Sequence, residues 1–120
     1  MKKILVVDDE KSFALALSEL LKVEGFDVAL AENGLDGLQE IKANPVDLVV
    51  LDVMMPKMDG YKVCRLLKFD KKYKCIPIIL LTARCQDEDV TTGEQCGADA
   101  YILKSGSPDI LISKVKELLK

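Results

Sequence analysis

The chain has 120 residues, of which 49% are hydrophobic and 31% charged, and its formal net charge is −3. This length suits one soluble domain with a buried core that covers residues 1–120. No block of basic residues that would bind nucleic acid is present. The longest apolar run, residues 76–81, has six residues, far fewer than the roughly 20 that span a membrane. Because Met1 leads directly into a strand pattern without a signal-peptide core, we expect a cytoplasmic domain without membrane contact.

Strand-like and helix-like segments alternate along the whole chain. Short apolar runs predict strands at 3–7, 27–31, 47–51, 77–82 and 99–103. Apolar residues at helical spacing predict helices at about 13–24, 34–44, 61–69, 87–96 and 108–119. The helix at 87–96 contains Thr91, Thr92 and Gly93 and few apolar anchors, so we expect it to be the least stable and a mobile element.

Repeated strand–helix units of this length predict an α/β fold. Right-handed crossovers give a parallel sheet with helices on both faces, which is a three-layer αβα sandwich. In such folds, ligands bind beyond the carboxyl ends of the strands, where the strand order reverses. Four residues whose side chains could take part in binding or catalysis lie at the predicted carboxyl ends of strands, namely Asp9, Asp52, Thr82 and Lys104.

Three carboxylates are expected to meet at this edge of the sheet. Asp8 and Asp9 follow the first strand and Asp52 follows the third; together they are called the acidic cluster below. Grouped carboxylates repel one another strongly unless a cation lies between them. Mg²⁺ takes oxygen ligands and keeps several waters, so Asp9 and Asp52 can bind the ion directly. The carbonyl of Met54 can add a third oxygen, and Asp8 can hold a metal-bound water.

The same residues can support phosphoryl transfer. A carboxylate such as that of Asp52 can attack phosphorus and form an aspartyl phosphate. In this reaction the protein contributes mainly positioning and neutralisation of charge. Lys104 and a metal ion would supply positive charge, while Thr82 offers a hydroxyl to a phosphoryl oxygen and the small Ala83 leaves room for the incoming group.

Four segments together resemble a known family. They read VVDDE at 6–10, LDVMMPKMDG at 51–60, LTA at 81–83 and YILK at 101–104. Over its whole length the chain resembles the receiver domain of two-component response regulators, a family that includes the chemotaxis regulator. The resemblance implies a flavodoxin-like, doubly wound fold with five parallel strands in the order 2-1-3-4-5. It leaves open whether the protein is a single-domain regulator or the receiver part of a longer one.

The resemblance also implies roles for individual residues. Asp52 would accept a phosphoryl group from the phosphohistidine of a sensor histidine kinase or phosphotransfer protein, with Mg²⁺ bound through Asp9, Asp52 and the Met54 carbonyl. Thr82 and Tyr101 would form a switch pair that reports phosphorylation to the surface made by the fourth helix, fifth strand and fifth helix. The chain has no histidine, in agreement with a donor that belongs to a partner. Such a domain is a signalling switch that catalyses only its own phosphotransfer and slow dephosphorylation.

One position departs from the family. A proline in a cis peptide bond usually follows the family's lysine, whereas Ser105 and Gly106 follow Lys104 here. A cis bond before a residue other than proline costs about 2.5–4 kcal/mol. We therefore predict a trans bond between Lys104 and Ser105.

Two other functions share part of this pattern. A haloacid-dehalogenase-like phosphatase also forms an aspartyl phosphate with Mg²⁺, but its two acids form an Asp-x-Asp motif, and Met54 occupies the place of the second acid here. A nucleotide-binding module of flavodoxin or Rossmann type is the other alternative, although no Gly-x-Gly-x-x-Gly follows the first strand. Turnover of a generic phosphate ester would favour the first alternative, and binding of a nucleotide or flavin would favour the second.

The four cysteines, Cys64, Cys75, Cys85 and Cys96, are ten or eleven residues apart. Zinc sites usually contain at least two ligands at close spacing, often with histidine. We therefore interpret the cysteines as small and mostly buried thiols rather than as a zinc site or disulfides.

Overall fold

A computed structural model describes residues 1–55, 58–82 and 97–120. Five strands form one parallel sheet in the order β2-β1-β3-β4-β5, so the predicted fold class and strand order are confirmed. The strands are β1 (Lys3–Val7), β2 (Asp27–Ala31), β3 (Leu48–Asp52), β4 (Ile78–Thr82) and β5 (Ala100–Leu103).

Four helices belong to the described ranges: α1 (Lys11–Val23), α2 (Gly34–Ala43), α3 (Gly60–Lys68) and a C-terminal helix (Pro108–Leu118). The helix predicted at 87–96 lies outside the described residues, as do Pro56, Lys57 and Ala83. Within the ranges that are described, no helix is long and apolar enough to cross a membrane.

The three central strands, β1, β3 and β4, are buried on both faces of the sheet, as continuous apolar strands require. Successive side chains of a strand point to opposite faces, and the buried residues therefore divide into two clusters. One cluster packs beneath α2 and α3 and includes Leu5, Val7, Val49, Leu51, Ile78 and Leu80. The other packs beneath α1 and the C-terminal helix and includes Ile4, Val6, Leu48, Val50, Ile79 and Leu81.

Side-chain caps fix the starts of three helices. Asn33 accepts a hydrogen bond from the backbone N–H of Asp36 at the start of α2. Asp59 accepts one from the N–H of Lys62 at the start of α3. Ser107 caps the C-terminal helix ahead of Pro108, and both residue types are typical of a helix start. Each cap satisfies an N–H that has no partner within its own helix.

Three strands, β3, β4 and β5, begin one residue later than the sequence predicts. Pro77 precedes β4, and an aspartate precedes each of the other two. The carboxylate of Asp47 accepts a hydrogen bond of 2.7 Å from the N–H of Lys3. The carboxylate of Asp99 does the same for the N–H of Ile78, at 2.8 Å. Both aspartates therefore serve the first residue of the neighbouring strand instead of starting β3 and β5.

The cysteine interpretation holds for one of the two cysteines that are described. Cys64 is buried in α3, whereas Cys75 is exposed in the turn before β4. Cys75 precedes Pro77, where the chain leaves the turn and has not yet entered the buried sheet, so its exposure follows from its position. Cys85 and Cys96 lie outside the described residues.

The parallel register brings the ends of the central strands together. Val7 pairs with Leu51 across β1 and β3, and Asp52 pairs with Leu81 across β3 and β4. The residues that directly follow β1, and the last residues of β3 and β4, consequently lie at one edge of the sheet. This edge carries the candidate site.

Candidate functional site

The acidic cluster forms as the sequence predicts. Asp8, Asp9 and Asp52 each offer a carboxylate oxygen within 4.8 Å of the others. Asp52 is the last residue of the buried strand β3 and is 4% exposed, and Asp8 is 2% exposed, whereas Asp9 is open to solvent. The cluster thus has a buried wall made by Asp8 and Asp52 and an open side at Asp9.

Burial changes the acidity of Asp52. Loss of solvent around the carboxyl group, together with the negative charge of Asp8, raises the pKa of Asp52 to about 6. The charge of Lys104 and the hydrogen bond from the backbone of Met54 act in the opposite direction without cancelling the rise. Asp52 is therefore ionised at neutral pH, but at a cost that a cation at the cluster would reduce.

Lys104 supplies positive charge inside the cluster. Its Nζ lies 2.9 Å from Oδ2 of Asp8, 2.9 Å from Oε1 of Glu10 and 3.4 Å from Oδ2 of Asp52. Burial would lower the pKa of Lys104, but the hydrogen bonds to Glu10 and Asp8 and the charge of Asp52 outweigh burial and raise this pKa. The ammonium group consequently remains charged beside Asp52.

Two contacts of Lys104 were not predicted from the sequence. Glu10 is an exposed residue that binds the ammonium group from the solvent side. The centroid of the Phe13 ring, in the first turn of α1, lies 4.7 Å from Nζ and adds a cation–π contact. Glu10 follows directly after the acidic pair and could have been suspected for that reason. Phe13 has the spacing of a core residue, so the sequence carries no separate signal for its contact with Lys104.

The donor set of the acidic cluster fits a hard divalent cation. Oδ2 of Asp8 is buried and accepts no hydrogen bond from the described residues, although Nζ of Lys104 lies 2.9 Å away. All the ligand atoms on offer are carboxylate oxygens, which are the donors that Mg²⁺ prefers. Met54 lies beside the cluster, since its N–H donates to Oδ1 of Asp52 at 3.3 Å. The proposed role of its carbonyl stays a prediction.

Thr82 and Tyr101 occupy different positions relative to the acidic cluster. Thr82 ends β4 and is 5% exposed, one residue beyond the partner of Asp52. Its carbonyl oxygen accepts a hydrogen bond of 2.6 Å from the backbone N–H of Lys104. Tyr101 lies within β5 opposite Leu80, and its hydroxyl lies 3.0 Å from the hydroxyl of Tyr61.

The peptide bond after Lys104 is trans, because the described residues contain no cis peptide bond. This agrees with the prediction drawn from Ser105. The turn is closed by a hydrogen bond of 3.1 Å from the N–H of Gly106 to the carbonyl of Leu103. The side-chain contacts with Asp8, Glu10 and Asp52 therefore place the ammonium group without a proline in the loop.

Comparison with known proteins agrees with these observations. A model of the response regulator receiver domain matches residues 4–116. The DNA-binding response regulator MtrA of Mycolicibacterium paratuberculosis is 41% identical over 119 residues, which is 99% of this chain and 52% of that protein. The chain spans about half the length of the curated relatives it matches.

Solved structures show the same fold with related sequences. The signal receiver domain of a signal transduction histidine kinase from Syntrophus aciditrophicus has a TM-score of 0.93 and 37% identity, covering 99% of this chain and 90% of that one. The response regulator TrrA from Thermotoga maritima, solved in complex with Mg²⁺-BeF, has a TM-score of 0.89 and 41% identity, covering 99% of this chain and 100% of that one. The chain therefore belongs to the response regulator receiver domains of two-component systems.

Proposed function

We propose that Asp52 accepts a phosphoryl group from the phosphohistidine of a sensor histidine kinase or phosphotransfer protein. The position of Asp52 carries this proposal, since its buried carboxylate ends β3 inside the acidic cluster and lies 3.4 Å from Nζ of Lys104. Membership of the receiver family supports it, because phosphoacceptor chemistry is typical of that family.

Transfer would break the phosphorus–nitrogen bond of the donor and form a bond between phosphorus and a carboxylate oxygen of Asp52. The electron pair of the broken bond stays with the departing imidazole, which takes a proton from solvent. Asp52 attacks as the carboxylate, the form that its pKa of about 6 leaves dominant at neutral pH. Lys104 lies beside the attacking oxygen and can pair with an oxygen of the phosphoryl group. Thr82, at the end of the neighbouring strand, can donate its hydroxyl to another.

The family's use of Mg²⁺ agrees with the acidic cluster. In the proposal Asp9, Asp52 and the Met54 carbonyl would hold the ion directly, and Asp8 would hold one of its waters. A bound Mg²⁺ would neutralise charge on the carboxylates and on the phosphoryl oxygens. The relative TrrA, solved with Mg²⁺-BeF, supports this ligand chemistry by analogy.

The proposal includes a switch made by Thr82 and Tyr101. A phosphoryl group adds a charge of about −1.5 to −2 at Asp52. Thr82 would move towards this charge, and the ring of Tyr101 would fill the space that Thr82 leaves. The surface around β5, the C-terminal helix and the helix predicted at 87–96 would then favour one of two arrangements that are already populated.

We also propose that residues 1–120 form a single receiver domain that acts as a switch and not as an enzyme for an external substrate. MtrA is named as a DNA-binding response regulator. A comparable output of this protein would come through another module or a partner, since the sequence contains no block of basic residues of the kind that binds nucleic acid.

Incubation of the chain with phosphoramidate and Mg²⁺, followed by intact mass measurement, tests the proposal. We expect one phosphate adduct on the wild-type chain and none on Asp52→Asn. Asp36→Asn, which changes an exposed aspartate in the first turn of α2, should retain the adduct. An adduct that persists on Asp52→Asn would contradict the proposal, and rapid turnover of p-nitrophenyl phosphate would favour a phosphatase instead.

A further inference from the structure

Tyr101 has a hydroxyl partner on a different element. The hydroxyl oxygens of Tyr61 and Tyr101 are 3.0 Å apart, within hydrogen-bonding distance, and either group can be the donor. Tyr61 lies in the first turn of α3, and Tyr101 lies 40 residues later in β5. This contact therefore joins two elements that are far apart in the sequence.

The surroundings of the two rings favour a stable hydrogen bond. Both tyrosines are partly buried, and both pack against the core cluster beneath α2 and α3. A hydrogen bond between partly desolvated groups is less exposed to competition from water than one on an open surface. Packing on a shared core also limits the rotamers of both rings, so that little additional ordering is needed to form the bond.

The start of α3 is in close contact with the backbone of Asp52. Gly60, which precedes Tyr61, packs so tightly that a β-carbon at this position would lie 2.3 Å from the carbonyl oxygen of Asp52. The N–H of Gly60 donates a hydrogen bond of 3.0 Å to the carbonyl of Val53. The Asp59 carboxylate fixes this turn by accepting from the N–H of Lys62 at 2.9 Å.

These contacts form a continuous physical connection. The backbone at Asp52 touches Gly60, the next residue is Tyr61, and the hydroxyl of Tyr61 bonds to that of Tyr101. A displacement of the backbone around Asp52 would thus move the start of α3 and change the position of the Tyr61 hydroxyl. This connection does not include Thr82, so it reaches Tyr101 by a route separate from the Thr82–Tyr101 pair.

We propose that Tyr61 is a positioning residue for Tyr101, and that its hydroxyl transmits changes at Asp52 to β5 as a second route beside Thr82. The inference rests on the proposed function, because it takes Asp52 as the phosphoacceptor and Tyr101 as part of the switch. It assigns a role to a residue that lies outside the acidic cluster and that the sequence marks only as the start of a helix.

Nuclear magnetic resonance of the full chain, with tyrosine isotopically labelled at the ζ carbon, tests the inference. The chain contains three tyrosines, which give three resonances that are sensitive to hydrogen bonding of the hydroxyl. Mg²⁺ with beryllium fluoride serves as the probe, since it imitates a phosphoryl group on a carboxylate. The test variant is Tyr61→Phe, which removes the hydroxyl and keeps the ring. The matched control is Tyr73→Phe, because Tyr73 packs against the same core cluster and its ring lies near Lys72.

Two results together would support the inference. In Tyr61→Phe, the Tyr101 resonance of the protein without beryllium fluoride should move, because the hydroxyl has lost its partner. After addition of the probe, the ratio of the populations of the two Tyr101 conformations should differ from that of wild type by about two- to tenfold, the range that one net hydrogen bond gives. Tyr73→Phe should leave both quantities at their wild-type values.

A Tyr101 resonance that is the same in Tyr61→Phe as in Tyr73→Phe would overturn the inference. The inference would also be overturned if the Tyr101 resonance moved in Tyr61→Phe but responded to Mg²⁺ with beryllium fluoride as it does in wild type. The change at Asp52 would then not be transmitted through Tyr61. If Tyr61→Phe fails to fold, the reciprocal variant Tyr101→Phe tests the hydroxyl contact at the Tyr61 resonance. A Tyr61 resonance that moves in the protein without the probe would support the inference, and one that stays at its wild-type position would overturn it.

Failure of the proposed function would look different. In that case Mg²⁺ with beryllium fluoride would not move the Tyr101 resonance even in the wild-type chain, and no phosphate adduct would form on Asp52. The effect of Tyr61→Phe on the Tyr101 resonance without the probe would still report the hydroxyl contact.

Discussion

Asp8 and Asp52 are buried next to each other with the ammonium group of Lys104 against both of them. The two carboxylates repel each other and have lost much of their hydration, and Lys104 compensates only in part, because the pKa of Asp52 still rises to about 6. Without a metal ion, this arrangement of charged groups therefore lowers the stability of the folded chain, as is common for functional sites.

The raised pKa predicts how the stability of the metal-free chain depends on pH. Between the ordinary value of 3.8 and about 6, the folded chain binds a proton at Asp52 that the unfolded chain does not, so the free energy of unfolding falls as the pH rises through this window. Asp52→Asn lacks this dependence. In urea unfolding with EDTA, we expect the difference in free energy of unfolding, Asp52→Asn minus wild type, to increase by about 1 kcal/mol as the pH is raised from about 5 to about 8.

Addition of Mg²⁺ at about pH 8 should reduce the difference in free energy of unfolding between Asp52→Asn and wild type. A ligand stabilises the folded form that binds it, and only wild type retains all three carboxylates of the acidic cluster. A difference between wild type and Asp52→Asn that does not change with pH would contradict the raised pKa of Asp52.

Removal of the positive charge of Lys104 should slow phosphorylation of Asp52. Lys104→Met deprives the phosphoryl oxygens of the ammonium group and leaves two buried carboxylates without their counter-charge. We expect the rate of adduct formation with phosphoramidate to fall by at least about tenfold, the scale of losing one preorganised charge. Lys11→Met is the control, because Lys11 lies nearby at the start of α1 but pairs with Glu32 on the surface. Equal rates for the two variants would remove Lys104 from the proposed mechanism.

At the scale of elements, α3 connects the site to the far edge of the sheet. Its first turn packs on the backbone of Asp52 through Gly60. Its last turn carries Lys68, whose Nζ donates to the carbonyl of Ile76 at 2.8 Å and lies 2.6 Å from Oδ2 of Asp99. Asp99 in turn accepts from the N–H of Ile78. One lysine therefore holds together the end of α3 and the starts of β4 and β5.

Lys68→Met should destabilise the fold through these lost contacts. The side chain of Lys68 is 12% exposed and that of Asp99 is 35% exposed, so the pair is partly shielded from water. We expect the free energy of unfolding in urea to fall by about 1–3 kcal/mol, the range for leaving buried polar groups without partners. The exposed Lys62 of the same helix provides the control, and Lys62→Met should change stability by less than about 0.5 kcal/mol. Equal effects of both variants would show that the contacts of Lys68 contribute little.

Most elements are predictable because their signals are local. Ser107 and Pro108 are residue types typical of a helix start and indicate where the C-terminal helix begins. Gly25 follows the end of α1 with a φ of 95°, a backbone conformation that glycine adopts without strain. The starts of β3 and β5 are less predictable, since Asp47 and Asp99 continue the chain smoothly into the apolar run. Their exclusion from the strands follows from side-chain bonds to Lys3 and Ile78, which are distant in sequence.

At the scale of the whole molecule, the parallel sheet assembles the site from segments that are far apart in the chain. Lys104 reaches Asp8 across a separation of 96 residues and Asp52 across 52. The sequence predicts this assembly because each of these residues lies at or just beyond the carboxyl end of an apolar strand, and parallel strands align such ends. Phe13 and Tyr61 could not be assigned in the same way. Their contacts depend on rotamers and helix positions that no local pattern encodes.

The most direct test of the central claim is to locate the phosphoryl group. Phosphorylated chain would be treated with borohydride, which reduces an aspartyl phosphate to homoserine, and the product would be digested and sequenced by mass spectrometry. Phosphorylation of Asp52 predicts homoserine at position 52 and unchanged aspartate at positions 8 and 9. Homoserine at another position, or a phosphate that survives reduction, would contradict the assignment of Asp52 as the phosphoacceptor.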